Sequence, residues 1–174
     1  MHFLQYLYKH IDFGNIVFSL FLDFRKAFDC VNNEVLLSKL NACGVRGIAL
    51  DWFRSYLTNI EQYVSINNID SNTRVIQCGV PQGSILGLLL FLIFINDITK
   101  CSNQFKYILY TDDSKLSTCV PGDNVMESAE LINSELKCLD RWLRSNKISI
   151  NADKTNYMLF TYNKNLNFPD ISVA

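Results

Sequence analysis

The stretch that decides the fold is the apolar run Ile16-Val17-Phe18-Ser19-Leu20-Phe21-Leu22, which ends at the carboxylate of Asp23. A short run of this kind, rich in aromatic and β-branched residues, is typical of a buried strand. Residues 106–110 and 114–120 predict two further strands, and the turn between them carries the adjacent carboxylates Asp112 and Asp113. If these strands lie side by side, Asp23 is expected to approach that acidic pair.

Two helices are predicted after the first strand. Asn32 offers an N-cap to an amphipathic helix that Gly44 closes, and a second helix follows Gly47. The apolar face of this second helix is predicted to carry Ile48, Trp52, Tyr56 and Leu57.

A hairpin and an apolar helix come next. Residues 62–66 and 73–78 alternate around Asn67-Asn68, as in a hairpin. Ser84 can cap a helix that begins with the apolar run 85–95 and extends to about residue 97. The run is shorter than the roughly 20 residues that a membrane span needs, so a buried core helix is expected and no membrane partner.

The remaining elements complete a recognisable order. Pro121-Gly122 opens a long helix, and residues 156–161 predict a last strand. If the helices and hairpin of residues 33–78 are an insertion, the order is β-α-β-β-α-β, which is the ferredoxin-like order. The sequence therefore predicts an α+β fold with a helix-helix-hairpin insertion. The apolar face of the long helix is predicted to carry Val125, Leu131, Ile132, Leu136, Leu139 and Trp142.

Composition indicates a folded chain with a weak electrostatic signal. Hydrophobic residues make up 49% of the 174 residues and charged residues 19%, which excludes a disordered chain. The net charge of -1 and pI near 6.1 lack the basic footprint of a self-sufficient nucleic-acid binder. The N-terminus has no secretory pattern, so an intracellular location in nucleus or cytoplasm is expected.

The carboxylates carry the chemical hypothesis. Two carboxylates about 4 Å apart repel by roughly 4 kcal/mol at an effective dielectric near 20, so an acidic cluster is favoured by a bound cation. Taken singly, an Asp-Asp pair is most often a simple turn, and an Asp after a buried strand often marks its end. Together, they can hold two metal ions for phosphoryl transfer.

Four motifs in this order resemble the palm of reverse transcriptases, particularly those of jockey-like non-long-terminal-repeat retrotransposons. They are LDFRKAFD at 22–29, GVPQGSILG at 79–87, YTDD at 110–113, and the segment from WLRSNK at 142–147 to Lys154-Thr155. The resemblance implies an RNA-directed DNA polymerase and a ferredoxin-like palm over residues 16–162. Residues 1–15 would end the fingers and residues 163–174 would lead to the primer grip. Most of the fingers and all of the thumb are expected to be missing from this partial right hand.

The resemblance also implies roles for individual residues. The catalytic residues would be Asp23, Asp112, Asp113 and Lys154, with Lys154 protonating pyrophosphate. Two Mg²⁺ ions, or Mn²⁺, would be bound at Asp23, Phe24, Asp112 and Asp113. The nucleotide would meet Phe24, Arg25, Lys26, Ala27, Phe28, Gln82 and Gly83. Phe28 would be the steric gate against a ribose 2′-hydroxyl, although a core phenylalanine is an equally simple interpretation.

The implied partners are an RNA template, a DNA primer, deoxynucleoside triphosphates and the rest of a retroelement polyprotein. Thr111 and Leu88 depart from the family pattern, which favours alanine and proline there. An inactive retroelement remnant or a nucleic-acid-binding module is the alternative that the acidic pI favours. Group II intron and telomerase-like polymerases share the acidic triad and form a third possibility.

Overall fold

The structure, a computed structural model, describes residues 3–110 and 113–172. Its elements in chain order are α1 (Phe3–Ile11), β1 (Ile16–Asp23), α2 (Asn33–Ala42), α3 (Ile48–Leu57), β2 (Ile60–Gln62), β3 (Ser65–Ile66), β4 (Ile69–Asp70), β5 (Arg74–Ile76), α4 (Ile85–Ile95), a 3-10 turn (Asn96–Lys100), β6 (Lys106–Tyr110), β7 (Asp113–Val120), α5 (Val125–Asn146) and β8 (Asn156–Phe160). The fold combines helices with an antiparallel sheet, which agrees with the predicted α+β class.

The chain divides into two compact units. The sheet unit contains residues up to 25, residues 98–145 and residues from 149 onward. The helical unit contains residues 26–97 and 146–148. The large sheet belongs to the first unit and helices α2 to α4 to the second.

The four-stranded sheet of the sheet unit has the order β6-β7-β1-β8, and each neighbouring pair is antiparallel. Strand β1 lies between β7 and β8, and its residues are almost all buried, as the apolar run predicts. Ser19 and Ser117, opposite each other in β1 and β7, are buried polar residues whose hydroxyls hydrogen-bond at 2.9 Å. The four strands predicted for this sheet are confirmed within one residue at each end.

Two helices of the sheet unit bury one face each. Tyr6 and Leu7 of α1 form a cluster with Val17 of β1, and burial raises the pKa of Tyr6 to about 12. The prediction for α5 is confirmed as a helix, but Leu131 is 37% exposed because it lies off the buried stripe. That stripe consists of Ala129, Ile132, Leu136, Leu139 and Leu143.

In the helical unit, the caps predicted for α2 and α4 are present. The side chain of Asn32 accepts a hydrogen bond from Val35 N at 3.0 Å, and the hydroxyl of Ser84 accepts one from Gly87 N at 2.9 Å. Each satisfies an amide that the first helical turn leaves without an intrahelical acceptor. Local cap chemistry therefore fixes where these helices begin.

The apolar face predicted for α3 is not covered within the described residues. Ile48 is 90% exposed and Trp52 54% exposed, whereas Leu57 is buried. The helix is anchored at its C-terminal end, where Asn33 Nδ2 donates to Leu57 O at 2.7 Å. Ile48 lies about 13 Å along the helix axis from that anchor, so the predicted helix is confirmed while the N-terminal part of its apolar face is exposed.

The hairpin prediction is confirmed in a nested form. Strand β2 pairs with β5, and between them β3 pairs with β4. Asn67 and Asn68 connect β3 to β4 with positive φ angles of 52° and 62°. Two consecutive positive φ angles are the signature of a type I′ turn, which asparagine tolerates.

Helix α4 contributes to the core, as predicted, but it is buried on one side only. Leu90, Phe91, Phe94 and Ile95 are inaccessible, while Ile85 is 92% exposed. Leu88 lies within the helix, as expected for a leucine in place of proline. Across residues 3–110 and 113–172, no helix combines the length and apolarity of a membrane span.

Lys39 of α2 forms a largely buried polar contact with the end of α4. Its ammonium lies 2.6 Å from Asp97 Oδ1, donates to Phe94 O at 2.5 Å, and has a side chain 14% exposed. Burial lowers the pKa of Lys39, and the hydrogen bond that its ammonium donates to Asp97 partly opposes that effect. The contact holds the C-terminal end of α4 against α2.

We expect Lys39→Ala to lower the free energy of unfolding by about 2 kcal/mol, less than the loss of a fully buried pair because Asp97 is 38% exposed. The matched control is Glu34→Ala, which breaks the exposed Arg54–Glu34 pair at 3.1 Å and should cost at most about 0.5 kcal/mol. Urea unfolding followed by circular dichroism measures both. Equal effects of the two variants would contradict this assignment.

Candidate active site

Asp23 and Asp113 are direct cross-strand neighbours in the sheet unit. They are the last pair in the β1–β7 register, which runs from Ile16 opposite Val120 to Asp23 opposite Asp113. Directly opposed residues of an antiparallel pair project from the same face, with Cβ atoms about 4.5–5.5 Å apart. The predicted approach of residue 23 to this hairpin is therefore present in the structure. Asp112 and Thr111 lie outside the described residues.

The end of β1 is held by the segment that leads into β8. Asn151 N donates to Asp23 O at 2.8 Å, and Asp23 N donates to the Thr155 hydroxyl at 3.3 Å. Lys154 N in turn donates to Asn151 O at 3.1 Å. Lys154, predicted to be catalytic, thus belongs to a turn that contacts the backbone of Asp23, and its side chain is exposed. Asp23 and Thr155, 132 positions apart in the chain, are thus brought together where β1 ends.

The backbone on the other side of Asp23 is also tied to this segment. Phe24 is 4% exposed and forms an isolated antiparallel bridge with Ile150. Arg25 N donates to Ser149 O at 2.9 Å, and the Arg25 side chain is exposed. These contacts fix the direction in which the chain leaves β1, while the Arg25 guanidinium stays accessible to solvent.

The carboxylate pair suits a hard divalent cation. Asp23 is half-buried and Asp113 exposed, and two like charges placed opposite each other destabilise a sheet unless a cation intervenes. Mg²⁺ is commonly held by one or two carboxylates and completes its shell with water and phosphate oxygens. Among the described residues there is no group of three or more Asp, Glu, His or Cys side chains that could hold a metal. The pair at 23 and 113 therefore fits Mg²⁺ as a partial ligand set.

An open cavity of about 760 Å³ is lined by Asp113, and its walls include a cation, Lys115, that the sequence motifs do not single out. Lys115 stands two residues after Asp113 in β7, and its ammonium lies 3.1 Å from the centre of the Phe3 ring. Burial lowers the pKa of Lys115. The alternation of a strand, which turns residues 113 and 115 to the same face, is the sequence signal that could have identified it. The walls include Phe3, Phe21, Ile108, Tyr110, Asp113 and Lys115.

The other predicted nucleotide-contact residues lie in the helical unit. Phe28, Gln82 and Gly83 line one cavity of about 310 Å³, together with Pro81, Ser84 and Leu88. The ring of Phe28 is half-buried and lies 4.7 Å from the ring of Phe91, between centroids. Phe28 is thus both a packing residue and a wall of the cavity, so the two interpretations of this residue are compatible.

The backbone near Phe28 forms a tight turn. Lys26 has a φ of 49°, and its carbonyl accepts from Asp29 N at 2.9 Å and from Cys30 N at 3.0 Å. Ala27 is 6% exposed, so its side chain is buried in this turn. Gly83 has a φ of 81°, a conformation that explains glycine at this position.

Comparison with known proteins agrees with the motifs. The family model of reverse transcriptase (RNA-dependent DNA polymerase) matches residues 10–169. The chain is 30% identical over 152 residues to a probable RNA-directed DNA polymerase from transposon BS of Drosophila melanogaster, covering 82% of this chain and 16% of that protein. It is 28% identical over 160 residues to the RNA-directed DNA polymerase from mobile element jockey of the same species, covering 88% and 17%. The chain thus spans about a sixth of the length of these relatives.

Solved structures with a similar fold include telomerases. The structure of Candida albicans telomerase with a fragment of telomeric RNA aligns with a TM-score of 0.64 at 16% identity, covering 97% of this chain and 31% of that one. Candida tropicalis telomerase with the corresponding RNA fragment aligns with a TM-score of 0.62 at 12% identity, covering 92% and 28%. At this identity the likeness concerns the fold. With the family model matched over residues 10–169, the chain belongs to the reverse transcriptase family.

Proposed function

We propose that this chain is the catalytic palm of an RNA-directed DNA polymerase that acts within a longer retroelement protein. The observation that carries the proposal is the opposition of Asp23 and Asp113 at the ends of adjacent strands. The β6-β7-β1-β8 order, with all neighbours antiparallel, supports a ferredoxin-like palm across residues 16–162. Residues before and after it would connect to fingers and thumb supplied by the longer protein.

In this proposal the sheet unit provides the acidic centre. Asp23, Asp112 and Asp113 would hold two Mg²⁺ ions, with the carbonyl of Phe24 as a further oxygen ligand. When bound, such ions supply charge stabilisation for the attacking 3′-hydroxyl oxygen and the leaving pyrophosphate. Lys154, on the turn that contacts the Asp23 backbone, gives a proton to the pyrophosphate. The exposed guanidinium of Arg25 attracts the triphosphate.

The helical unit provides contacts to the incoming deoxynucleotide. Phe28 is kept rigid by its packing against Phe91, so its ring can exclude a ribose 2′-hydroxyl instead of yielding to it. Gln82 and Gly83 also line this cavity. The amides of the turn at Lys26 and Ala27 offer hydrogen bonds to phosphate oxygens, which is the usual role of backbone N–H groups in an anion site.

The test is primer extension by a protein that restores the regions flanking this chain. With an RNA template, a DNA primer, deoxynucleotides and Mg²⁺ or Mn²⁺, the expected product extends to the end of the template. Omission of the divalent ion should abolish the product. Absence of extension under these conditions, from a protein that binds the primer–template, would contradict the proposed function.

A second candidate, an inactive remnant that at most binds nucleic acid, is favoured by one observation. The net charge of -1 gives this chain little general attraction for phosphate backbones. The two candidates differ in the flanking reading frame, because an uninterrupted frame on both sides supports the enzyme and early stop codons support the remnant. Template preference would likewise separate a retroelement enzyme from a telomerase-like one.

A further inference from the structure

A side-chain hydrogen bond in the helical unit links two of the motifs. Gln82 Nε2 donates to Asp29 Oδ1 at 2.7 Å, across 53 positions of the chain. We propose that Asp29 is a positioning residue that sets the orientation of the Gln82 amide, so that the amide oxygen faces the nucleotide. This inference rests on the proposed function and adds a residue whose role neither the motifs nor the comparisons assign.

The backbone keeps the two segments in a fixed relation. Val80 N donates to Phe28 O at 2.9 Å, and Gly79 N donates to Val31 O at 2.7 Å. A Cβ at position 79 would lie 3.1 Å from the Cα and carbonyl oxygen of Asp29, so the chains are in close contact there. The backbone around Asp29 is therefore held in place by the hydrogen bonds at Phe28 and Val31, and the Asp29 side chain contacts Gln82 from this fixed position.

The chemistry of the pair determines which end of the Gln82 amide faces Asp29. A carboxylate accepts hydrogen bonds and cannot donate them, so only the NH₂ end of Gln82 can face Asp29. A rotated amide would place its oxygen against the carboxylate and lose a charge-assisted bond. With one N–H of Gln82 bonded to Asp29, the Gln82 oxygen points away from the carboxylate and is the acceptor that the amide offers to a ligand.

The cavity beside Gln82 is the place where that oxygen can act. Its volume of about 310 Å³ is at the lower end of the range of small-molecule sites, and Phe28 forms another of its walls. A ligand that presents a hydrogen-bond donor to this oxygen is recognised there, and a ligand that presents an acceptor to the same atom is repelled. The fitting ligand is a nucleotide with a hydroxyl or amino group at this point. Asp29 thus contributes to nucleotide selection without touching the nucleotide.

The decisive experiment exchanges the two groups in the extension-competent protein. Asp29→Ala should raise KM for the deoxynucleotide roughly fivefold to tenfold with little change in kcat, because both side chains are exposed and one hydrogen bond is lost. Gln82→Glu should be worse, since it opposes two carboxylates. The double variant Asp29→Asn with Gln82→Glu should recover most of the loss, because position 29 then donates and position 82 accepts. Asp51→Ala, an exposed acidic residue of the same unit, is the matched control.

A second measurement does not depend on catalysis. The side-chain amide protons of Gln82 should shift upfield in an NMR spectrum of the chain with Asp29→Ala and stay unchanged with Asp51→Ala. An unchanged Gln82 amide in Asp29→Ala, or a double variant no better than Gln82→Glu, would overturn the inference. If the parent protein extends no primer while the amide shift is present, the proposed function fails and the positioning contact stands.

Discussion

Asp23→Asn is expected to reduce primer extension by about a thousandfold, the equivalent of roughly 4 kcal/mol of lost transition-state stabilisation. The substitution removes one negative charge from a pair whose opposition in the β1–β7 register favours a divalent cation. The side chain keeps its size, and the backbone bonds of residue 23 to Asn151 and Thr155 do not involve the carboxylate. The fold should therefore remain, and circular dichroism should match the parent. Asp112→Ala is expected to lose extension to the same degree.

A matched control distinguishes a local effect from a general change of charge. Asp123 is exposed and follows the end of β7 that is remote from Asp113. Eight strand residues separate the two ends by about 23 Å, so Asp123→Asn changes net charge equally without reaching the carboxylate pair. Calorimetric titration with Mg²⁺ should give weaker binding for Asp23→Asn and parent-like binding for Asp123→Asn. Parent-like extension by Asp23→Asn would refute the assignment of the acidic centre.

The parts of the fold that follow from neighbouring residues could be predicted from the sequence. The strand at 16–22, the caps at Asn32 and Ser84, and the turn at Asn67-Asn68 each depend on residues within a few positions of one another. Chain order and composition also predicted which strands form one sheet. The meeting of Asp23 with Asp113 could be predicted because a ferredoxin-like strand order places the end of the first strand beside the turn of the central hairpin.

Other features depend on contacts between distant segments, which periodicity does not record. The apolar stripe of α3 has helical spacing whether or not another element covers Ile48 and Trp52, so the pattern could not indicate their exposure. The bond between Gln82 and Asp29 arises because residues 28–31 and 79–80 pair through their backbones. Lys115 gives no signal of its own in the sequence, since a lone lysine in a strand is usually an ordinary surface charge.

Gly87 has a steric role that motif comparison alone could not explain. It is the last residue of the motif at 79–87, it is buried in α4, and its N–H donates to the Ser84 cap. A Cβ at this position would lie 2.2 Å from the Pro81 carbonyl oxygen and 3.0 Å from the Ser84 hydroxyl. The glycine therefore permits the loop that contains Gln82 to fold back against the first turn of α4.

We expect Gly87→Ala to lower the free energy of unfolding by about 2 kcal/mol. Overpacking against a backbone oxygen and disturbance of the cap together cost roughly 3 kcal/mol, and the higher helix propensity of alanine returns about 1 kcal/mol. For a chain of this length that loss lowers Tm by about 4–8 °C, which differential scanning calorimetry can measure.

Gly44→Ala separates this steric effect from backbone strain. Gly44 has a φ of 96° and no described atom within 4 Å of its added Cβ, so alanine there should cost about 1 kcal/mol through conformation alone. Gly87 has no positive φ, and the larger loss of stability predicted for Gly87→Ala depends entirely on the close approach of the Pro81 carbonyl. If Gly87→Ala is as stable as the parent, or is less affected than Gly44→Ala, the close packing of this loop against α4 is wrong. The geometry inferred for Gln82 would then lose its support as well, since the loop that contains Gln82 is the one that Gly87 allows to pack against α4.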